Sequence, residues 1–276
     1  MAISHPAQAV FGVRTNGVVR PPLKWAGSKR WQLPHLVAYW HCNRYHRLVE
    51  PFCGGLAVTL GLMPNRALLN DINPHLINFY QWLKRGLSVN LQQENNGTSY
   101  YSHREEFNRL LYAGQGDSAE AAVLFYYLNR TGYNGLCRFN RAGEFNVPFG
   151  RYKRINYRTE FVEYKDGFKD WDLMTGHFSR ISLDPADFVY ADPPYDVEFR
   201  QYSKDGFGWE EQVKTAEWLA KHPGPVVLSN QATKRIKRLY RELGYTLRFV
   251  EAPRRISCTG DRTPAPEVLA IRNLPE

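Results

Sequence analysis

Cysteine is scarce in this chain, at four in 276 residues, and Cys42, Cys53, Cys137 and Cys258 form no CxxC pair. That spacing suggests neither a disulfide framework nor a zinc site, and the eight histidines show no ligand spacing, so no metal is expected. No run reaches the roughly 18 apolar residues of a membrane span. The N-terminus also lacks an apolar core followed by a small-residue cleavage site. These absences point to a soluble, cytoplasmic protein without a membrane partner, expected to be a monomer in solution. Acidic residues run short as well: 27 Asp and Glu face 36 Lys and Arg, a formal charge of +9. An excess of that sign suits a polyanionic partner, although a basic surface on an ordinary enzyme gives the same count. What is plentiful is apolar material, 43% of residues with 14% aromatic, which is enough for a packed interior and not the composition of a disordered chain.

Residues 1–20 carry no clear period and read as a loosely held arm ahead of Pro21 and Pro22. Apolar residues then recur at helical spacing from Trp31 to Trp40. Arg47 to Phe52 reads as a short buried strand entering the Gly54-Gly55 turn, Leu56 to Leu62 as the start of a helix, and Ala67 to Ile72 as a second buried strand. This is the rhythm of an α/β sheet of nucleotide-binding type. It then stops. Residues 77–128 read mainly as helices, broken by the polar stretches Gln92 to Thr98 and Gly114 to Asp117, and Asn129 to Arg154 is rich in Gly, Asn, Arg and aromatics. We therefore expect an inserted module over 77–159 within a catalytic domain built from 21–76 and 160–276. The α/β pattern resumes with a strand from Asp187 that is stopped by Pro193 and Pro194, a helix at Glu210 to Lys221 and a strand at Pro225 to Asn230. A basic helix at Thr233 to Leu243 and strands at Leu247 to Val250 and Val268 to Ile271 complete it, with no internal repeat.

Asp192-Pro193-Pro194-Tyr195 is the most informative tetrapeptide, because open α/β sheets bind ligands beyond the carboxyl ends of their strands. An aryl amine is hard to methylate: its lone pair is delocalised into the ring, and the nitrogen must pass through a more tetrahedral, positively charged state. A carboxylate and a fixed carbonyl oxygen can accept the two amino hydrogens and stabilise that charge. Asp192 and the Pro193 carbonyl suit these roles, and Tyr195 offers a face on which an extruded base can stack. The plainer reading is a strand-terminating turn. The turn Glu50-Pro-Phe-Cys-Gly-Gly lets backbone approach a ligand closely, as does many an ordinary strand-to-helix turn. Asp71 stands where a ribose-binding acid belongs, or else caps a helix with the help of Pro74. Lys24 and Lys29 flank Trp25 in a small-residue turn that can hold a carboxylate, or form a solvated basic loop. The helix at Lys234 to Arg241 has the pattern of an amphipathic surface helix. Pro253 to Arg262 is a basic loop suited to phosphate.

Taken in order, Leu23-Lys-Trp-Ala-Gly-Ser-Lys, Val49-Glu-Pro-Phe-Cys-Gly-Gly, Asn70-Asp-Ile-Asn, Tyr127-Leu-Asn-Arg-Thr-Gly-Tyr-Asn-Gly-Leu-Cys-Arg-Phe-Asn, Gly143-Glu-Phe-Asn-Val-Pro-Phe-Gly-Arg-Tyr and Asp192-Pro-Pro-Tyr resemble the Dam family of adenine-specific DNA methyltransferases. The resemblance covers nearly the whole chain from Pro22. It implies an S-adenosylmethionine-dependent methyltransferase fold, a Rossmann-like mixed seven-stranded sheet, with an inserted, mainly helical target-recognition domain carrying a hairpin. The cofactor implied is S-adenosylmethionine, held by Trp25, Lys29, Glu50, Pro51, Phe52, Cys53, Gly54, Asp71, Ile72 and Asp192. The partner implied is duplex DNA, with GATC as the site. Lys24 would reach an outer base, Tyr133 would wedge into the stack beside the extruded adenine and Asn134 would help hold its orphaned partner. Leu136 and Arg138 would read the inner and outer base pairs, Asn146 and Pro148 would support that reading, and Arg151 would hold phosphate. Arg130 and Asn140 belong to the same DNA-binding set. Read without the resemblance, Tyr133 to Arg151 is a Gly- and Asn-rich surface hairpin.

Two positions depart from the family pattern: Leu56 replaces the last glycine of the Phe-x-Gly-x-Gly turn, and Ser28 stands where glycine is common. Both are expected to touch cofactor affinity more than reaction type. The expected chemistry is direct transfer without a covalent enzyme intermediate, resting on orientation and electrostatics. A methyltransferase of protein glutamine or RNA would use a similar turn, and a DNA-binding regulator could keep the fold after losing catalysis. The long insertion argues against the first, and the intact Asp192 and Asp71 against the second.

Overall fold

The computed structural model describes residues 19–92, 94–196, 207–253 and 265–275. Most of the expected N-terminal arm (1–18) and of the basic loop after Pro253 lies outside the described residues, as does Cys258. Where the chain enters the described part it is held: Val19 is buried and the Arg20 carbonyl accepts from the Tyr164 hydroxyl.

Seven strands form one mixed sheet: β1 (Leu48–Glu50), β2 (Ala67–Asp71), β3 (Trp171–Thr175), β4 (Phe188–Ala191), β5 (Val226–Gln231), β6 (Thr246–Ala252) and β7 (Ala265–Arg272). Their order is β3-β2-β1-β4-β5-β7-β6, parallel from β3 to β5, with β7 antiparallel to both neighbours. The central strands are nearly all apolar because both faces are covered. Leu48, Phe188 and Tyr190 face one core, whereas Val49, Val189 and Ala191 face the other, as the two-residue alternation of a strand requires. The first core runs without a break from helices α1 (Leu33–Asn43) and α3 (Pro74–Arg85) into α4 (Gly97–Tyr112) and α5 (Ala119–Thr131). The second lies under α7 (Trp209–Ala220) and α8 (Lys234–Glu242). Short helices α2 (Thr59–Leu62) and α6 (Val162–Gly167) fill the remaining connections.

The sequence reading and the fold differ at three places that matter for the site. Strand β3 has no counterpart in the residue-by-residue reading. The helix expected from Leu56 starts at Thr59, because Leu56 sits in the left-handed region with φ 59°. The boundary expected between 76 and 77 falls inside α3, which runs unbroken from Pro74 and packs on both β3 and α5. The start of α3 is sharply defined: Asn73 Oδ1 accepts from the N–H groups of His75 and Leu76, with Pro74 in the first turn. Among the described residues no helix is long and apolar enough to cross a membrane.

Candidate active site

A cleft of about 1060 Å³ opens at the carboxyl ends of β1, β2 and β4, where the strand order reverses direction from β1 to β4. Of the residues expected at the cofactor and the reacting amine, Trp25, Lys29, Glu50, Phe52, Cys53, Gly54, Asp71, Ile72, Asp192, Pro193, Pro194 and Tyr195 all line it. Pro51 does not; its carbonyl accepts from the Asn70 side chain beneath the turn. The glycine turn is required by close packing. A Cβ on Gly54 would sit 2.8 Å from the Trp25 indole nitrogen, and one on Gly55 would sit 2.7 Å from the Trp25 Cβ, so the indole lies directly on bare backbone. Leu56 does not narrow the cleft. Its side chain is fully buried in the core, so the departure from glycine places an apolar contact inside at the cost of a left-handed backbone, about 1–2 kcal/mol.

Four carboxyl groups line the cleft, Glu50, Asp71, Asp192 and Glu267, and the first three differ in state. Asp71 is not the helix cap; it accepts from Gly54 N at 3.1 Å and Asn73 N at 2.9 Å, and so ties the glycine turn to the start of α3. Burial raises its pKa, against the bonds from those backbone donors. Glu50 is buried at the end of β1, accepts from the Thr59 hydroxyl, and is pushed up to about 8 by burial. Asp192 follows β4. Burial pushes it up to about 7, with the Glu267 charge adding to the rise and Lys29 opposing it. Lys29 Nζ lies 3.4 Å from Asp192 Oδ2 and 4.1 Å from the centre of the Tyr195 ring, while Asp192 Oδ1 is buried without a partner. The turn after Asp192 is fixed from outside: Gln212 Nε2 donates to the Pro194 carbonyl at 2.6 Å, Asn230 donates to Gln212, and Asp196 pairs with Arg235 of α8. Asp192 therefore presents an acceptor from a rigid position in a desolvated cleft.

A second surface lies beside the cleft. Residues 132–149 form a short hairpin with antiparallel bridges Gly132↔Phe149 and Phe139↔Phe145. Helix α4 holds it: the Asn108 side chain bonds both backbone groups of Phe145, and the Tyr100 hydroxyl donates to the Val147 carbonyl. Tyr133, Asn134, Arg138, Asn140, Pro148 and Arg151 are exposed, and Leu136 and Asn146 partly so. The Arg138 guanidinium donates twice to Asn146, which pre-sets its direction, while Asn140 builds the hairpin tip by accepting from Ala142 N and Glu144 N. Arg130 is turned inward. It is buried and donates to the Asn156 carbonyl, bracing the hairpin from behind.

The cleft and the hairpin are joined through one loop. The Asn129 side chain accepts from Lys24 N and donates to Lys24 O, each at 2.8 Å, and so pairs with that backbone as a strand would. Lys24 Nζ donates to the Arg130 carbonyl and lies 3.5 Å from the Tyr152 ring centre; burial, with help from Arg130, lowers its pKa to about 8. Sequence reasoning missed Asn129, Gln212, Asn230 and Glu267. Only the charge of Glu267 just ahead of the apolar run Val268–Ile271 could have signalled one of them.

Comparison with known proteins bears on what this pair of surfaces does. Residues 25–255 match the family described as D12 class N6 adenine-specific DNA methyltransferase. The chain is 36% identical over 269 residues to a DNA adenine methylase of Escherichia coli K12, covering 90% of this chain and 94% of that protein. It is 35% identical over 263 residues to the retron Ec67 DNA adenine methylase of Escherichia coli, covering 90% of each. A type II methyltransferase of Lactococcus lactis is 32% identical over 256 residues, covering 86% of this chain and 89% of its own.

Proposed function

Since this chain belongs to the D12 class of N6 adenine-specific DNA methyltransferases, we propose that the cleft takes S-adenosylmethionine together with an adenine extruded from duplex DNA, and that the hairpin selects GATC. The observation that carries this reading is the placement of Asp192: a buried, unpartnered acceptor oxygen on a rigid turn, beside an aromatic ring, in a cleft large enough for both reactants. Trp25 on the glycine turn, Asp71 and Ile72 fit an adenosyl group, and Lys29 fits a carboxylate. When bound, the cofactor supplies an electrophilic methyl group. Asp192 and the Pro193 carbonyl accept the amino hydrogens and hold the lone pair toward it, and Tyr195 replaces the stacking lost when the base leaves the duplex. Residues 77–159 serve DNA binding in this reading, with Tyr133 as the wedge, Arg138 and Leu136 as base readers, and Lys24, Asn134, Asn146, Pro148 and Arg151 in support. Arg130 and Asn140 shape the hairpin and do not touch bases.

The test is methyl transfer from labelled S-adenosylmethionine to matched duplexes with GATC, its single-base variants, and no adenine. Labelling confined to GATC is expected. Labelling spread over the variants would remove the site assignment and leave the enzyme class.

Two further results are expected. Arg138→Ala should lose about 1–3 kcal/mol of discrimination at one outer base pair, since a guanidinium can bond guanine twice in the major groove. Single-base variant duplexes measure this, and an unchanged preference contradicts the role. The pH profile should follow Asp192. Its acceptor form is the ionised one, which predominates only above its raised pKa, so kcat/KM for DNA should climb with pH until about 7 and then level. Lys29, Glu267, Glu50 and Tyr190 face the same carboxyl, and a profile flat across that range would mean that its ionisation does not limit the reaction.

A further inference from the structure

Glu267 is a charged residue in the wrong-looking place. It stands near the start of β7, paired with Gln231 of β5 on one side and Val250 of β6 on the other, and is 6% exposed. The next four residues of its strand, Val268 to Ile271, are all buried and apolar. A carboxyl group in such a strand is unfavourable unless its oxygens are bonded. They are. Glu267 Oε2 accepts from the Tyr195 hydroxyl at 2.5 Å and from Gln32 Nε2 at 2.9 Å, and Oε1 lies 4.0 Å from Lys29 Nζ. Gln32, itself fully buried, also donates to Ser229 Oγ and accepts from the Tyr190 hydroxyl at 2.7 Å. Because β7 runs antiparallel to β5, its start lies at the carboxyl end of the parallel strands, the end that carries Asp192.

We propose that Glu267 is a positioning residue for methyl transfer: acting through the phenolic hydroxyl, it sets the plane of the Tyr195 ring, and it shares Lys29 with Asp192. The proposal rests on the reading of Tyr195 as the surface on which the target adenine stacks. Tyr195 follows Pro193 and Pro194, beyond the end of β4, so no ladder bond orients it. Without an anchor its ring can swing about two side-chain torsions. With its hydroxyl bonded to a carboxyl that is itself clamped by Gln32, the ring plane is fixed before a base arrives, which is the preorganisation that stacking and in-line transfer need. The second contact acts on charge. One ammonium between two carboxyls cannot collapse onto Asp192 alone, so an Asp192 oxygen is kept for the amine.

The test uses the full chain, S-adenosylmethionine, a GATC duplex, and the same duplex with 2-aminopurine at the target adenine. Glu267→Ala is expected to lower kcat about tenfold or more while the cofactor KM stays within about threefold, and to alter the 2-aminopurine emission. Tyr195→Phe, which keeps the ring and removes its anchor, should cost about as much. The double variant should then be no worse than the poorer single variant by more than about threefold, because the contact the two variants share is the one between Glu267 and Tyr195. Glu267→Gln retains an oxygen for the phenol but not the charge that faces Lys29, so its kcat should fall between those of the parent and Glu267→Ala. Losses that multiply in the double variant, or a Tyr195→Phe enzyme with full kcat, would overturn the proposal; the second outcome decides even if Glu267→Ala fails to fold. Tyr195→Ala separates this from the underlying reading. If it is inactive while Tyr195→Phe is fully active, stacking stands and only the Glu267 anchor falls; if it too is fully active, the stacking role itself is wrong.

Discussion

Asp192→Ala should lower turnover by about a thousandfold, with duplex affinity changed by less than about threefold and the melting temperature nearly kept. The chemistry sets the first part. The amino group of adenine is a poor nucleophile, and in the proposed reading its lone pair is freed by acceptors that are already in place. A single preorganised partner of developing charge contributes a few kcal/mol in a water-poor site. The electrostatics set the last part. Asp192 is pushed up to about 7 mainly by burial, so its charge is tolerated rather than stabilising, and removing it leaves Lys29 still near Glu267. In the proposed reading DNA is held by the hairpin and the Lys24 loop rather than by Asp192. Asp192→Asn sharpens the experiment, since the amide keeps the shape but can turn a donor toward the amine. Single-turnover methyl transfer, duplex binding and a melt on the same preparations check all three parts. Turnover within about tenfold of the parent would remove Asp192 from the chemistry.

The elements that read clearly in the sequence are those whose burial is complete. β1, β4 and β5 are short apolar runs because helices cover both faces, and their ends are marked by polar or proline residues. β3 is silent for the opposite reason: it is a five-residue edge strand paired only with β2, and Asp172 and Thr175 are exposed. The polar stretches do break the helical region, and each ends at a helix start, where Asn96 accepts from Ser99 N and Ser118 from Ala121 N. At the site, contiguous motifs are legible because one strand end or one turn holds them together. The residues that fix those motifs are not. Gln32 meets Glu267 across 235 positions and Asn129 meets Lys24 across 105, and no local pattern marks a partner at such separations. Arg130 shows a limit of another kind. Its motif reads as part of a surface set, yet the helix turns it toward the interior, and only the register of α5 determines that.

Gly135→Ala should impair both surfaces at once, lowering methyl transfer by about tenfold to a hundredfold and raising the KM for DNA and for cofactor together. Gly135 has φ 62°, a conformation that costs an alanine about 1–2 kcal/mol. A Cβ there would also fall 2.3 Å from Lys24 Cβ and 3.2 Å from the Lys24 carbonyl oxygen. Neither neighbour can yield cheaply, since the Lys24 backbone is bonded on both sides by Asn129 and its amine is tied to the Arg130 carbonyl. The strain must therefore move the hairpin, or move the loop that carries Trp25 onto the glycine turn, or divide between them. The expected signature is a coupled change: weaker cofactor binding without DNA, and weaker duplex discrimination with saturating cofactor. A loss confined to DNA would mean that the hairpin gives way alone, and that the Asn129–Lys24 pairing does not transmit force between the two surfaces.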